Sequence, residues 1–304
     1  MRLKSIGDRR WLMNLHRLRF FALVLLGTQI LAGEGQDSIF TPFNENEGRP
    51  AAAIENSKGW ECPYRSKNEQ VQLRHVEGKG VGYSLGYTTI QVFFSPDNEK
   101  CIPLLDLRGH IFDDGKFAAN VGLGFRYPSS WVCGMNAYYD YRQTSHFHYN
   151  QFTLGLEALG TWIDFRLNGY IPVGKKQSIR KDRHEQELAF KGVNAEMGIH
   201  LFKNDKTVLY GAFGPYYLEG NGRNAWGGEA RFSVTFLDHV RFEVNGSYDS
   251  FFRWIGQGQI SLMYFFGNDK QLKHPQKTCY EERVLRDRVS QWIDRYEIIM
   301  TKNK

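Results

Sequence analysis

The residues best suited to metal binding or acid–base chemistry are two histidines one residue apart. His146 and His148 lie between Asp140 and Glu157 in the sequence. Imidazole and carboxylate groups together could hold a metal ion or transfer a proton. A single His-x-His pair in a predicted loop is common without such a role, and no Cys-x-x-Cys motif or Cys/His cluster joins it. We therefore predict no metal site and no catalytic role for this pair.

Three serines could act as nucleophiles only with a base beside them. Ser233, Ser247 and Ser261 fall on the polar faces of predicted strands, where the sequence places no histidine at a neighbouring height. A nucleophile, its base and the group that orients the base cannot be assembled from them. The sequence therefore predicts a protein that is not an enzyme and has no cofactor.

The elements that carry these side chains are predicted strands with one apolar face. Apolar and polar residues alternate through 116–127 and 131–142, and again through 105–112, 151–158, 163–171, 193–201, 229–236 and 240–249. Less regular alternation covers 70–78, 81–94, 207–217 and 256–266. A period of two over about ten residues is typical of strands in outer-membrane barrels. The pattern predicts about twelve strands within residues 70–267.

A soluble sandwich or lipocalin-like barrel would show the same alternation with its apolar face turned inward. Here the apolar face is almost free of charge, while the other face carries Glu, Asp and Arg beside many Gly. These features favour an all-β transmembrane antiparallel barrel with a polar lumen. The predicted lumen-lining residues are Asp106, Arg108, His110, Asn120, Arg126, Asn136, Asp140, Glu157, Asp164, Arg166, Asn168, Glu196, Glu229, Arg231 and Glu243.

Residues 1–33 have the features of a secretory signal peptide. Several arginines precede the apolar run 20–26, and small residues follow at Ala32 and Gly33, near the expected cleavage site. Translation could begin at Met1 or at Met13. The signal holds six Lys or Arg against one Asp, so little of the formal net charge of +6 remains on the mature chain. A nucleic-acid partner is therefore not predicted.

The connections between predicted strands alternate in length. Residues 128–130, 203–206 and 237–239 are short connections, whereas 143–149 and 174–188 are long. Outer-membrane barrels have short periplasmic turns and longer external loops, so we expect the long connections outside. The basic 174–188 loop would suit lipopolysaccharide or an acidic host ligand. A solvated loop without a ligand is the simpler interpretation.

Cysteine usage permits a disulfide in the oxidising periplasm. Cys62 and Cys101 both lie in predicted periplasmic segments and could pair there, with Cys101 in an unusually long periplasmic turn. Cys133 lies on the predicted lipid face, where we expect it to serve as a small apolar residue.

The two flanks of the barrel differ from it in pattern. Residues 34–69 are polar and turn-rich, which predicts an irregular periplasmic lead-in. Within the linker 268–304, apolar residues recur every three or four positions through 281–300, which predicts an amphipathic helix about 30 Å long. Residues of this helix that could lie in the lumen are Leu285, Trp292, Arg295 and Tyr296. A plug or a periplasmic tail remains the alternative placement.

Four segments in the middle of the chain carry a family resemblance. Residues 120–127, 134–141, 154–157 and 168–172 resemble, in this order, the translocator domain of the inverse autotransporters, the intimin and invasin family of outer-membrane adhesins. The resemblance implies a Gram-negative outer-membrane barrel of twelve strands, inserted with periplasmic chaperones and the barrel-assembly machinery. It also implies a C-terminal linker that threads the lumen and carries a passenger outside. Intimin-like proteins continue into immunoglobulin-like domains, which are not in the sequence up to Lys304. The alternative function is an outer-membrane pore or surface-binding barrel.

Overall fold

The computed structural model describes residues 62–65, 67–96, 100–145, 147–174, 177–180, 185–204, 206–220, 223–267, 269–272 and 279–303. The strands are β1 (Cys62–Arg65), β2 (Glu69–Gly78), β3 (Tyr87–Phe94), β4 (Ile102–Phe112), β5 (Phe117–Pro128), β6 (Val132–Gln143), β7 (His148–Leu159), β8 (Ile163–Val173), β9 (Gln177–Arg180), β10 (Glu185–Ala189), β11 (Lys191–Lys203), β12 (Thr207–Gly220), β13 (Arg223–Phe236), β14 (Val240–Asp249), β15 (Arg253–Phe266), β16 (Asp269–Leu272) and β17 (Thr301–Asn303). One described helix, α1, comprises Cys279–Val289. The predicted signal peptide lies outside the described residues.

Twelve antiparallel strands close into a barrel. Their order is β11-β12-β13-β14-β15-β2-β3-β4-β5-β6-β7-β8, and closure comes from the pairing of β15 with β2. A closed ladder leaves no strand edge, so the backbone groups of the wall are bonded within it. The predicted antiparallel barrel of about twelve strands is confirmed.

The outer surface of the barrel wall is apolar and its inner surface is polar. Val121, Met135 and Leu154 are each more than half exposed on the outside. Their chain neighbours on the opposite face are buried, as Asn136 illustrates with 6% exposure and Thr153 with 0%. A soluble barrel would show the reverse arrangement, so this wall is built to face lipid.

The two ends of the barrel differ in their connections. At one end the turns 129–131, 160–162, 204–206 and 237–239 are short. The opposite end has the short connections 113–116 and 250–252, but it also carries 79–86 and the hairpin β9–β10 between β8 and β11. The end with the short turns corresponds to the periplasmic side. The connection 95–101 at that end is the exception that the sequence predicted. We call the opposite end the outer end.

The periplasmic flank differs from two of the predictions. Strand β1 pairs antiparallel with β16, from Cys62 opposite Leu272 to Arg65 opposite Asp269, so part of the lead-in predicted to be irregular is a strand. The predicted Cys62–Cys101 disulfide is wrong, because Cys101 is an exposed free thiol. Cys62 belongs to the β1–β16 pair, next to the seam between β15 and β2, whereas Cys101 precedes β4, two strands further along. Two inter-strand spacings of about 4.8 Å exceed the Cα separation that a disulfide spans.

Helix α1 covers only the first half of the predicted C-terminal helix. It ends at Val289, and residues 290–300 are neither helix nor strand. The chain then forms β17, which pairs with β10 of the outer hairpin. Among the described residues, no helix has the length and apolar character needed to cross a bilayer.

Candidate functional site

The barrel lumen is occupied by the protein's own C-terminal segment. Near its start, the Arg288 guanidinium donates to the Thr161 carbonyl oxygen in the β7–β8 turn, at 3.1 Å. At its end, the Thr301 amide lies 3.4 Å from the Gly82 carbonyl oxygen in the β2–β3 connection. One of these contacts is at the periplasmic end and the other at the outer end. Residues 288–301, which we call the luminal segment, therefore cross the whole lumen.

Helix α1 is held at the periplasmic end by ion pairs. Lys67 Nζ lies 2.8 Å from Asp238 Oδ2 in the β13–β14 turn and 3.1 Å from Asp287 Oδ1 on the helix. Burial disfavours the charged amine, but the two carboxylates outweigh this effect and raise the pKa of Lys67 above its ordinary value. Leu285 packs, partly buried, against the apolar cluster around Trp292. The helix is thereby fixed to the wall where the luminal segment begins.

Wall side chains bind the backbone carbonyl oxygens at the start of the luminal segment. Arg126 Nη1 donates to the carbonyl oxygens of Val289, at 2.6 Å, and Gln291, at 2.5 Å. Arg108 Nη2 donates to the carbonyl oxygen of Ile293, at 2.7 Å. In a helix these oxygens would accept bonds from amides four residues further along. The wall supplies the donors instead.

The same arrangement continues towards the outer end. Asn120 Nδ2 donates to the Glu297 carbonyl oxygen at 2.8 Å, and Arg142 Nη1 donates to that of Ile299. Donors from the wall thus replace the intrahelical bonds that residues 290–300 would otherwise make. This replacement explains why the predicted helix stops at Val289. Eleven non-helical residues can reach about 36 Å at about 3.3 Å each, whereas a helix of that length rises only about 16 Å.

The charged side chains of the luminal segment meet opposite charges on the wall. Arg295 Nη2 lies 2.6 Å from Asp140 Oδ1, and Nη1 lies 3.1 Å from Asp140 Oδ2. Asp294 Oδ2 lies 3.0 Å from Arg231 Nη2 and 3.4 Å from Arg166 Nη2. Two adjacent residues of the segment therefore bind different strands of the wall, Arg295 on β6 and Asp294 on β8 and β13.

Glu297 joins three wall residues near the middle of the lumen. Its carboxylate pairs with Arg74, lies 3.1 Å from Arg108 Nη1, and accepts a hydrogen bond of 2.7 Å from the Tyr87 hydroxyl. The neighbouring Tyr296 hydroxyl donates to Glu229 Oε2 at 2.5 Å. Buried charges are tolerated only when paired in this way.

Apolar contacts complete the fit at both ends of the segment. The Trp292 ring lies 5.5 Å from the Phe93 ring, centroid to centroid, in an apolar cluster near the periplasmic end. Near the outer end, Ile298, Ile299 and Met300 are each buried in a separate cluster formed with wall or loop residues. A cavity of about 140 Å³ remains beside the segment, towards β2 and β13–β15.

The structure places the predicted lumen-lining residues on the inner side of the wall. Buried there are Asp106, Arg108, His110, Asn120, Arg126, Asn136, Asp140, Glu157, Asp164, Arg166, Asn168 and Glu243. Glu196, Glu229 and Arg231 are partly buried and take part in the ion pairs and hydrogen bonds of the lumen. Trp292, Arg295 and Tyr296 of the C-terminal segment lie among them.

Several residues of the lumen were not singled out from the sequence. Tyr138 donates to Asp106 Oδ2 at 2.7 Å, and its ring centroid lies 3.8 Å from the Arg295 guanidinium carbon. Tyr170 accepts the Tyr296 amide at 2.9 Å. The alternation places both tyrosines on the polar face. Their position was therefore visible in the sequence, but their partners were not.

The described residues that were considered for catalysis make ordinary hydrogen bonds with neighbouring side chains. His148 shares a hydrogen bond of 2.8 Å with the Tyr141 hydroxyl, whereas His146 lies outside the described residues. Ser233 accepts from Arg241 Nη2 at 3.1 Å, and Ser261 accepts from Gln259 Nε2 at 3.3 Å. Within the described part of the chain, no three His, Cys, Asp or Glu side chains are grouped so as to hold a metal ion.

Part of the barrel wall matches a known family model. Residues 102–202 match the model of the inverse autotransporter β-domain. This part of the barrel is therefore similar to the inverse autotransporter β-domain. The match covers β4 to β8 and most of β11. The inverse autotransporter family is not enzymatic, and its barrels lie in the outer membrane of Gram-negative bacteria. The apolar belt of this barrel faces the lipid and lipopolysaccharide of the outer membrane.

Solved structures share the barrel fold at low sequence identity. A membrane protein studied for in-meso crystallization is similar with a TM-score of 0.56 and 15% identity, over 77% of this chain and 100% of its own. An outer membrane channel from Pseudomonas putida F1 has a TM-score of 0.48 and 7% identity, over 70% of this chain and 100% of its own. The KdgM porin in complex with disordered oligogalacturonate has a TM-score of 0.44 and 10% identity, over 65% and 99%. Comparison with curated protein sequences gives no match.

Proposed function

We propose that this barrel anchors the chain in the outer membrane and presents its C-terminal segment at the cell surface. The observation that carries the proposal is the path of residues 288–301 through the lumen. It begins beside Thr161 in a short turn and ends beside Gly82 and β10 at the outer end. Insertion through periplasmic chaperones and the barrel-assembly machinery belongs to the same proposal.

The contacts of the luminal segment support a static, non-enzymatic role. Buried ion pairs at Asp294, Arg295 and Glu297 hold side chains of the segment, while Arg126 and Arg108 hold its backbone. An open pore is less well supported, because these side chains occupy the lumen that ions would use. The barrel would act by holding one polypeptide in a fixed register.

An accessibility experiment on whole cells tests the proposal. An epitope tag is placed after Lys304, and antibody binding is compared before and after the outer membrane is permeabilised. Tags in the 113–116 and 95–101 connections serve as external and periplasmic controls. The C-terminal tag should bind antibody on intact cells, as the 113–116 tag does. If it binds only after permeabilisation, as the 95–101 tag should, the segment is not displayed and the proposal is wrong.

A further inference from the structure

A cleft at the outer end contains a buried arginine without an ionic partner. Arg142, at the end of β6, is more than nine-tenths buried. Its Nη1 donates to the carbonyl oxygen of Gly82, at 2.9 Å, and to that of Ile299. Its Nε has no hydrogen-bond partner, and no carboxylate among the described residues forms an ion pair with it. This differs from the luminal arginines 108, 126, 166, 231 and 295, each of which pairs with a carboxylate.

The nearest carboxylates act on Arg142 only from a distance: Glu187 and Asp114 attract its charge, but neither forms an ion pair with it. Glu187 on β10 lines the same cleft, but its Oε2 accepts a hydrogen bond of 2.6 Å from Thr144 Oγ1. A buried guanidinium without a carboxylate in direct contact is costly, whereas direct pairing with an anion lowers its energy. Arg142 is therefore suited to receive an anionic group from outside the chain.

The rim of the cleft is also positively charged. Lys79, Lys116 and Lys302 line it together with Asp114, which pairs with Lys116. Lys79 and Lys302 are exposed. Cations around a concave site raise the local concentration of anions. The charge at the rim thus has the same sign as that of Arg142 at the base.

The remaining walls of the cleft are aromatic and hydroxylated. Tyr83, Phe147 and Phe252 contribute rings, and Ser84 and Ser145 contribute exposed hydroxyls. The cleft has a volume of about 350 Å³. Small-molecule sites have this kind of size and lining, with apolar surface and a few polar groups that set orientation. A sugar ring presents both an apolar face and hydroxyl groups.

We propose that this cleft binds a small anionic saccharide, a sugar that carries a carboxylate or a phosphate. The anionic group binds Arg142, the ring lies against the aromatic side chains, and the sugar hydroxyls bond to the serines. Thr301 and Lys302 form part of the wall, so the site requires the luminal segment in place, in line with the proposed function. It does not require that a passenger is displayed.

Titration calorimetry on the purified full-length chain in detergent tests the proposal. The probes are glucuronate, glucose 1-phosphate, glucose and inorganic phosphate. A charge-assisted hydrogen bond to the anionic group should make at least one of the first two bind about tenfold or more tightly than glucose. Inorganic phosphate, which lacks the ring, should bind more weakly than glucose 1-phosphate. The proposal is overturned if glucose matches both anionic sugars, if inorganic phosphate matches glucose 1-phosphate, or if no probe binds.

Three variants locate the site. Arg142→Gln should weaken glucuronate or glucose 1-phosphate binding about tenfold or more, because it removes the charge at the base. Lys79→Gln removes a rim charge without touching the luminal segment and should weaken binding about two- to fivefold.

Lys191→Gln is the matched control, since Lys191 is exposed at the same end but does not line the cleft. Equal affinities for Lys79→Gln and Lys191→Gln would overturn the assignment, even if Arg142→Gln does not fold. Because purified protein is used, failure here leaves the whole-cell tag result unaffected.

Discussion

Arg295 of the luminal segment and Asp140 of strand β6 form a bidentate ion pair inside the barrel. The two oxygen–nitrogen distances are 2.6 and 3.1 Å, and the side chains are at most 1% exposed. The guanidinium also lies against the Tyr138 ring. This pair joins a residue near the C-terminus to one about 150 positions earlier, so it connects the segment directly to the wall.

Removing one member of this pair should strongly destabilise the docked segment. Arg295→Ala leaves the Asp140 carboxylate buried without its partner, at a cost of about 3–5 kcal/mol. The free energy of unfolding in urea, measured on the purified barrel in detergent, gives the change. Lys191→Ala is the control, because its exposed pair with Glu219 should contribute about 1 kcal/mol or less. Equal losses for the two variants would contradict a structural role for the Arg295–Asp140 pair.

A small luminal glycine should be essential for the position of Tyr138. A Cβ atom at Gly122 would lie 2.1 Å from the Tyr138 ring, so Gly122→Ala must displace that ring from Asp106 and Arg295. We expect a loss of about 1–3 kcal/mol. Gly169→Ala is the matched control in β8, since a Cβ there meets nothing within 4 Å. Thermal unfolding followed by heat-modifiable gel mobility compares the two, and a Gly122→Ala midpoint at or above that of Gly169→Ala would refute the argument.

Deleting the luminal segment should open a pore. A chain that ends after Leu272 retains all pairings of the twelve-strand ladder, which lie between Glu69 and Phe266. Its lumen would be lined by the charged side chains that the segment now covers. Planar-bilayer recordings should show much higher conductance for this chain than for the full-length protein.

The control for the pore experiment is a chain that lacks only residues 303–304, which should conduct like the full-length protein. Gel mobility before and after heating verifies that the shortened barrel is folded. A folded barrel without the segment that conducts no better than the full-length chain would show that something other than residues 288–301 closes the lumen.

The ion pairs at the periplasmic end should remain intact until strongly alkaline pH. Because the folded-state pKa of Lys67 is raised, its pairing with Asp238 and Asp287 stabilises the fold fully below the ordinary lysine value of 10.5. This contribution is lost as the pH rises through the higher folded-state value. Lys67→Gln should speed amide hydrogen exchange in α1 modestly, by about fivefold or less, since the pairs are partly exposed. Unchanged exchange in α1 would show that these pairs do not hold the helix.

The barrel wall could be predicted because the alternation depends only on residues that are neighbours in the sequence. Neighbours such as Met135 and Asn136 point to opposite faces in any strand, so period-two alternation fixes which face meets lipid. Tyr138 and Arg142 also follow this parity. What each luminal side chain binds could not be inferred, because its partners come from distant strands.

The sequence by itself determined the twelve strands of the barrel wall and the face that their residues occupy. Only the tertiary structure decided where the C-terminal helix ends. The periodicity of residues 281–300 favours a helix throughout, but Arg126, Arg108 and Asn120 bind the carbonyl oxygens that a helix would use. These donors lie more than 150 residues away in the chain, and they meet the segment only because the barrel closes around it.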